Sequence, residues 1–299
     1  MNLNHLALFH AVALEGSVSR GADRLSISQP AVSRQLSEFE RSLKTRLFDR
    51  LPRGVRLTPA GDLLFSYARR LFALEAEAER SLQELHGLER GRLSLGASTT
   101  IGSYLLPGVL ARFHARYPGI DVSLEIANTE EIQRHILEGT LDMGLTEGFA
   151  EEENLESAVF MQDELVAILP VGHPLSSSAG ITLERLSQEP FVLRERGSGT
   201  RAVIERALAA RSLSARPALA LGSTEAIKRA VEAGAGVAIV SRLSVAAEER
   251  SGVLSIHPIA GVSLLRPLHR LHLKGRHPSG ALHAFGIMLS ETASSPAPG

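Results

Sequence analysis

Leu6, Phe9 and Ala13, with Leu3 and Val12 beside them, recur at helical spacing from the chain start, and Gly16 ends the pattern where a left-handed C-terminal glycine belongs. Ser17 restarts it as the N-cap of a short helix carrying Val18, Ala22 and Leu25. Ser28 opens a third helix, with Pro30 in its first turn, where a missing N–H does no harm. There Val32, Leu36, Phe39 and Leu43 form one apolar stripe, which leaves Pro30, Arg34, Ser37 and Arg41 on the opposite face. Two short strands follow, around Leu47-Phe48 and Val55–Leu57, joined by a Pro-Arg-Gly turn. Thr58 and Pro59 then begin a long helix in which Leu64, Tyr67, Leu71, Leu74, Ala78, Ser81, Leu85 and Leu88 alternate spacings of three and four. A seam of that period predicts pairing with a second helix.

From Arg92 the pattern changes to strands alternating with helices. Leu93, Leu95 and Ala97 predict a strand, Leu105 to Phe113 a helical face, and Ile120, Val122, Leu124 and Ile126 a second strand. Asn128 and Glu131 form a capping box for the next helix. Further strands are expected near residues 141–145, 165–169, 191–193, 218–221 and 237–240, giving an α/β module with a mostly parallel sheet. The tail from 291 to 299, ETASSPAPG, is small-residue-rich and expected to be disordered.

Charge sharpens this division. Residues 1 to 60 carry nine basic against five acidic side chains, a net of +4, and leave −5 for the remainder of a chain whose total is −1. A basic head on an acidic body suits a polyanion partner for the head alone. The chain start has neither a basic leader region nor an uninterrupted apolar run, and no stretch reaches the roughly 20 apolar residues of a membrane span, so a cytoplasmic, membrane-free location is expected. With no cysteine, disulfides, thiolate metal sites and a cysteine nucleophile are excluded.

The third helix has the chemistry of a DNA reader. Arg34 is placed to donate two hydrogen bonds to guanine and Gln29 to pair with adenine, while Ser28 and Ser33 suit phosphates beside Pro30. Arg50, Arg53 and Arg56 on the two-stranded wing suit backbone phosphates or a minor groove. A solvated amphipathic helix is the plainer alternative for the third helix taken by itself.

In the second half, hydroxyls gather where strands are expected to meet helices: Ser98, Thr99 and Thr100; Thr146; Ser198 and Thr200 around Gly199; and Thr224 after Ser223. Such junctions favour anions through free N–H groups, although each taken singly also reads as an ordinary N-cap. Glu147 beside Thr146 fits an anion site poorly and suggests a limit on the negative charge admitted. No Gly-Lys-Ser/Thr follows the GSGT at 197–200, and neither an HExxH nor a Gly-x-Ser-x-Gly motif occurs, so an enzyme is disfavoured and no cofactor or metal is expected. A solute-binding protein would explain the second half but has no use for the basic head.

The stretch GSVSRGADRLSISQPAVSRQLSEFE through RLFDRLPRGVRLTPAG resembles the winged helix-turn-helix of LysR-type transcriptional regulators, departing from it at Gly21, which should weaken its helix by up to ~1 kcal/mol, and at Lys44-Thr45. Residues 92 to 290 resemble the effector domain of that family, with the two-lobed fold of type II periplasmic binding proteins. GASTTIGSYLLPGVLARFHARYPGIDVSLEIANTEEI is similar to the branch regulating sulfur assimilation and carbon fixation. The resemblance implies a DNA-binding head over 1–58, a dimerising helix over 59–90 and an effector domain over 91–290. Its lobe I would be about 91–162 plus 266–290 and its lobe II about 163–265, with crossings near Met161 to Leu165 and Val262 to Leu268. It also implies an inverted-repeat DNA site, a homodimer or homotetramer, contact with RNA polymerase, and a small anionic effector. A sulfur oxyanion leads, with a phosphorylated metabolite, dinucleotide or organic acid as the alternative.

Overall fold

A computed structural model describes residues 2–84, 91–148, 152–177, 180–276 and 278–294. The chain divides into two compact units, Met1–Glu79 with Glu138–Thr140, and Arg80–Leu137 with Leu141–Gly299.

The first unit packs three helices, α1 (Leu3–Glu15), α2 (Val18–Arg24) and α3 (Gln29–Leu43), around Leu6, Phe9, Val12, Ala22, Val32, Leu36 and Phe39. Asn2 and Ser17 cap the first two helices by accepting from Asn4 N and Arg20 N, and Gly16 closes α1 at φ 58°. Ser28 holds the cap position of α3 without a side-chain cap bond. Gly21 has a different role from the one its helix propensity suggests. A Cβ there would lie 2.8 Å from Val12 Cγ2 and 2.9 Å from Val12 Cα, so the residue allows α1 and α2 to approach closely rather than merely loosening a helix. Lys44 ends α3 in the left-handed region at φ 52°, which is why glycine suits that position.

The wing consists of β1 (Phe48–Arg50) and β2 (Val55–Leu57), paired antiparallel across a turn with Gly54 at φ 87°. It is tied to the helices at both ends. Val55 N donates to Gly16 O at 3.0 Å, and the Glu40 carboxylate accepts from Leu47 N at 2.7 Å and Phe48 N at 3.2 Å. Thr58 then caps α4 (Pro59–Glu84), accepting from Gly61 N at 3.0 Å. Along α4, Leu64 packs partly into the core, while Leu63, Tyr67, Leu71 and Leu74 stay exposed as an apolar row. Leu85 and Leu88 lie outside the described residues.

The second unit is two-lobed. Lobe I contains β3 (Gly91–Ser98), a π-helical turn at Ile101–Leu105, α5 (Leu106–Arg116), β4 (Ile120–Ala127), α6 (Thr129–Leu137) and β5 (Met143–Glu147). The capping box forms as expected, with Glu131 N donating to Asn128 Oδ1 at 2.9 Å and Asn128 N to Glu131 Oε2 at 3.4 Å. A long strand, β6 (Leu155–Pro170), leads into lobe II, made of α7 (Leu183–Leu186), β7 (Pro190–Arg194), α8 (Gly199–Ala209), β8 (Arg216–Leu221), α9 (Thr224–Glu232), β9 (Ala238–Ser241), α10 (Ala246–Ser251) and β10 (Leu254–His257). The chain returns through β11 (Leu265–Leu273) and ends in α11 (Gly280–Ser294) on lobe I.

The two crossings lie side by side. β6 pairs with β11 over Leu155–Glu164, then with β9 and β10 over Leu165–Pro170, and Leu165 N donates to Leu264 O at 3.0 Å where the partners change. These strands alter the expected sheet. Only β3–β4, β3–β5 and β7–β8 are parallel among the named pairs, and the four pairings of β6 and β11 are antiparallel, so the mostly parallel expectation fails where the chain passes between lobes. The tail differs from expectation over residues 291–294, and residues 295–299 lie outside the described residues. α11 continues to Ser294 because Met288 and Leu289 anchor it in the core and Thr292 Oγ1 bonds back to Met288 O at 2.9 Å.

Candidate functional site

On the head, Ser28, Gln29, Pro30 and Arg34 are exposed at the start of α3, Ser33 is half-buried, and Arg50 and Arg53 are exposed on the wing. Gln29 Nε2 reaches Ser33 Oγ at 3.5 Å, at the limit of a hydrogen bond. Arg34, Arg50 and Arg53 make no hydrogen bond or ion pair among the described residues, whereas Arg56 lies 3.6 Å from Asp49. Their donors are available to an outside partner. Glu40, which the sequence reading missed, positions the wing through the two backbone N–H groups of Leu47 and Phe48. Its clue was an acidic residue among the arginines, on a helix face near the wing.

In the second unit the polar residues between the lobes are buried. Arg266, on β11 at the crossing, has a fully buried side chain. Its Nε and Nη2 donate to Asp163 Oδ2 at 2.8 and 2.7 Å, its Nη1 to Thr200 Oγ1 at 2.7 Å, and its Nη2 reaches Thr100 Oγ1 at 3.5 Å. Ser241 donates to the other Asp163 oxygen at 2.9 Å. Burial pushes the Asp163 carboxyl above the usual carboxylate range, and the Arg266 fork and the Ser241 bond hold that rise in check.

Glu147 completes the cluster. Its carboxylate accepts from Ser98 Oγ and, at 3.1 Å, from Thr200 Oγ1, and it lies 3.6 Å from Arg266 Nη1. Two carboxylates thus share one guanidinium, all buried, in a place where a bare charge is costly. Gly199 makes this closeness possible, because a Cβ there would overlap the Glu147 carbonyl oxygen. A groove of about 500 Å³ leads outward between the N-terminal ends of α6 and α8, lined by Thr129, Glu130, Arg196 and Ser198.

At the neighbouring junction, Arg194 forks onto Glu195 at 2.8 and 2.7 Å and donates to Thr99 Oγ1 at 3.1 Å. Its Nη1 is buried without a partner, as is Thr129 Oγ1 at the groove. Unused donors at such depth are costly and mark places where an acceptor would be welcome.

The sequence-picked hydroxyls therefore separate. Ser98, Thr100 and Thr200 enter the Glu147–Arg266 cluster, and Thr99 the Arg194 pair. Ser198 caps α8 instead, accepting from Arg201 N. Thr146 does not sit at a strand-to-helix junction. β5 continues through Glu147, with Thr146 buried inside it opposite His269 of β11, because pairing with the returning strand extends it. Thr224 is buried at the first position of α9, where Ser223 provides the cap, and adds no bond to the cluster. Arg266 and Asp163 were missed altogether, although each is a charged residue inside a crossing segment that the family resemblance implied. Among the described residues no His, Asp and Glu group could hold a metal ion, and no helix is long and apolar enough to cross a membrane.

Comparison with known proteins places this geometry. The chain matches "Bacterial regulatory helix-turn-helix protein, lysR family" over residues 3–62 and "LysR substrate binding domain" over residues 86–294. It is 38% identical to a "Probable RuBisCO transcriptional regulator" of Trichormus variabilis over 95% of this chain and 86% of that one. It is 34% identical to the "HTH-type transcriptional regulator CysL" of Bacillus subtilis over 89% of each. Among solved structures, the CcmR regulatory domain of Synechocystis PCC6803 in complex with 2-PG is 32% identical over 69% of this chain and 98% of that one, with a TM-score of 0.64. Full-length CbnR complexed with its target DNA shares the fold over 98% of this chain and all of that one, at 24% identity and a TM-score of 0.70. The chain belongs to the LysR family of effector-responsive, DNA-binding transcriptional regulators.

Proposed function

We propose that this regulator binds a small anion between its lobes, at the Thr99–Arg194 junction, and answers by changing how its DNA-binding heads engage an inverted repeat. The observation that carries this is the buried Arg194 Nη1, a donor without a partner on a guanidinium that Glu195 and the Thr99 hydroxyl hold in place. An oxyanion supplies the missing acceptor at little reorganisation cost. Glu147 already holds Ser98 and Thr200, so its carboxylate limits the effector to modest negative charge. A small sulfur oxyanion is the first reading. The 2-PG complex of a 32% identical regulatory domain favours, as the second reading, a phosphorylated acid.

The exposed row of Leu63, Tyr67, Leu71 and Leu74 supports a homodimer through α4, which two-fold symmetry would match to a two-fold DNA site, with tetramers built from such pairs. Ser28, Gln29, Pro30, Ser33 and Arg34 read the major groove in this account, and Arg50 and Arg53 hold the phosphates. RNA polymerase is the expected partner once DNA is bound.

Titration calorimetry on the full chain with sulfite, sulfate, thiosulfate, phosphate, 2-PG and NADPH tests the effector. Saturable binding by one small anion, weakened at least tenfold in Arg194→Gln, is expected. Binding of that anion at unchanged affinity in Arg194→Gln, or no binding across the panel, would overturn the small-anion reading and leave the family assignment intact.

A further inference from the structure

A second cavity, separate from the cleft, lies on lobe I between β11 and α11. Alternation along β11 sends Leu268, Arg270 and His272 toward one face. Leu268 is buried in the core beneath α11, but the helix does not cover the next two in the same way. Gly286 faces the Arg270 guanidinium across this gap, and a Cβ there would stand at an ordinary contact distance of 3.5 Å from Arg270 Nη1. The space left is about 710 Å³, within the range of small-molecule sites, and is walled by Met143, Leu282 and Ile287.

The polar groups in this cavity are unequal. Arg276 is committed, donating to Asp142 Oδ1 at 2.6 Å and Leu141 O at 2.9 Å, and His272 lies 3.1 Å from Glu156 Oε2. Arg270 is half-buried and makes no hydrogen bond or ion pair among the described residues. A half-buried guanidinium beside the apolar Met143, Leu282 and Ile287 matches a carboxylate with a short hydrocarbon body, and Glu291 on the rim disfavours a second negative charge. We propose that this cavity is a second ligand site, selective for small monocarboxylic acids with an apolar tail, anchored by Arg270. Because β11 also carries Arg266 into the cleft, the site lies on a strand that the cleft shares.

Calorimetric titration of the full-length chain with hexanoate tests the proposal, with hexanol as the uncharged control. Hexanoate binds saturably, at least tenfold more tightly than hexanol, Arg270→Gln reduces its affinity at least tenfold, and Arg194→Gln in the cleft changes it less than twofold. Absence of saturable hexanoate binding, equal affinity for hexanol, or indifference to Arg270→Gln would overturn the site. Loss of hexanoate binding in Arg194→Gln with Arg270→Gln unaffected would move the acid to the cleft and overturn it as well. Denaturation midpoints of both variants within the wild-type range ensure that an affinity change is not unfolding.

Discussion

The winged head and the interlobe cleft both collect polar residues for a charged partner, yet they hold them in opposite ways. Arg34, Arg50 and Arg53 stand exposed with no partner among the described residues, ready for a ligand as large as a DNA duplex. Arg266, Asp163, Glu147, Thr100 and Thr200 are buried and bonded to one another. The head keeps solvated charges in reserve, which costs little when water screens them. The cleft cannot, because an unpaired charge at that depth costs several kcal/mol. Internal pairing therefore makes the cleft selective: among the described residues an effector must take a buried donor left over, at Arg194 Nη1 or Thr129 Oγ1, or displace a bond already made.

Substitutions that remove one charge from each region should separate the two regimes most widely. Arg266→Ala leaves Asp163 and Glu147 buried without their cation, and a loss of about 3–5 kcal/mol in the chemical denaturation of the effector domain is expected. Arg34→Ala should leave stability within about 0.5 kcal/mol. An Arg266→Ala loss no larger than that of Arg34→Ala would break the contrast.

For DNA, Arg34→Ala should cost about 1–3 kcal/mol of specific affinity and relax preference at one base pair, whereas Arg53→Ala should weaken operator and random DNA alike and flatten the salt dependence. Binding isotherms on both DNAs at two salt concentrations distinguish these roles. Equal losses on both DNAs for both variants would contradict the division of labour.

Packing gives a third expectation. Gly21→Ala improves helix propensity but forces its Cβ into Val12, so a net destabilisation of about 1–3 kcal/mol should appear in the head's denaturation midpoint. A stabilised variant would mean that α1 and α2 separate freely.

The smallest effect concerns acid. His10 lies 5.5 and 5.0 Å from the rings of Phe65 and Phe72, and burial, then Arg69 and Arg24, bring its pKa from 6.5 down to about 4. The folded head keeps this ring neutral while the unfolded chain protonates it below 6.5. The contribution is therefore complete above pH 6.5 and is lost as pH falls from there to about 4. Screening at a partly exposed ring reduces it to about 1–2 kcal/mol. His10→Phe should flatten the stability of the head between pH 7 and 4.5 relative to wild type, as followed by urea midpoints.

The features legible in the sequence were those set by neighbours along the chain. The caps at Ser17 and Asn128, the glycine turn at Gly16 and the apolar stripe of Val32, Leu36 and Phe39 all act within one or two helical turns. The crossing segments were implied by the family resemblance rather than by the local pattern, and the hydroxyls at Ser98, Thr100 and Thr200 were singled out by their place after predicted strands. What was not readable depended on pairing over long separations. Arg266 and Asp163 meet across 103 positions, and the same return strand prolongs β5 so that Thr146 lies within a strand. Nor does helix propensity reveal that Gly21 faces Val12, since that contact exists only when two helices have packed.

The most direct test asks whether the Ser98–Thr200–Arg266 end of the cleft is an anion position occupied by the protein's own carboxylate. Full-length Glu147→Ala should be less stable than wild type, and formate should restore stability saturably by occupying the vacated position. Wild type should gain nothing comparable at the same formate concentrations. Rescue of Glu147→Ala by formate but not by formamide is the predicted result. No stabilisation by formate, or the same stabilisation in both proteins, would show that Glu147 does not stand in an anion's place and would contradict the account.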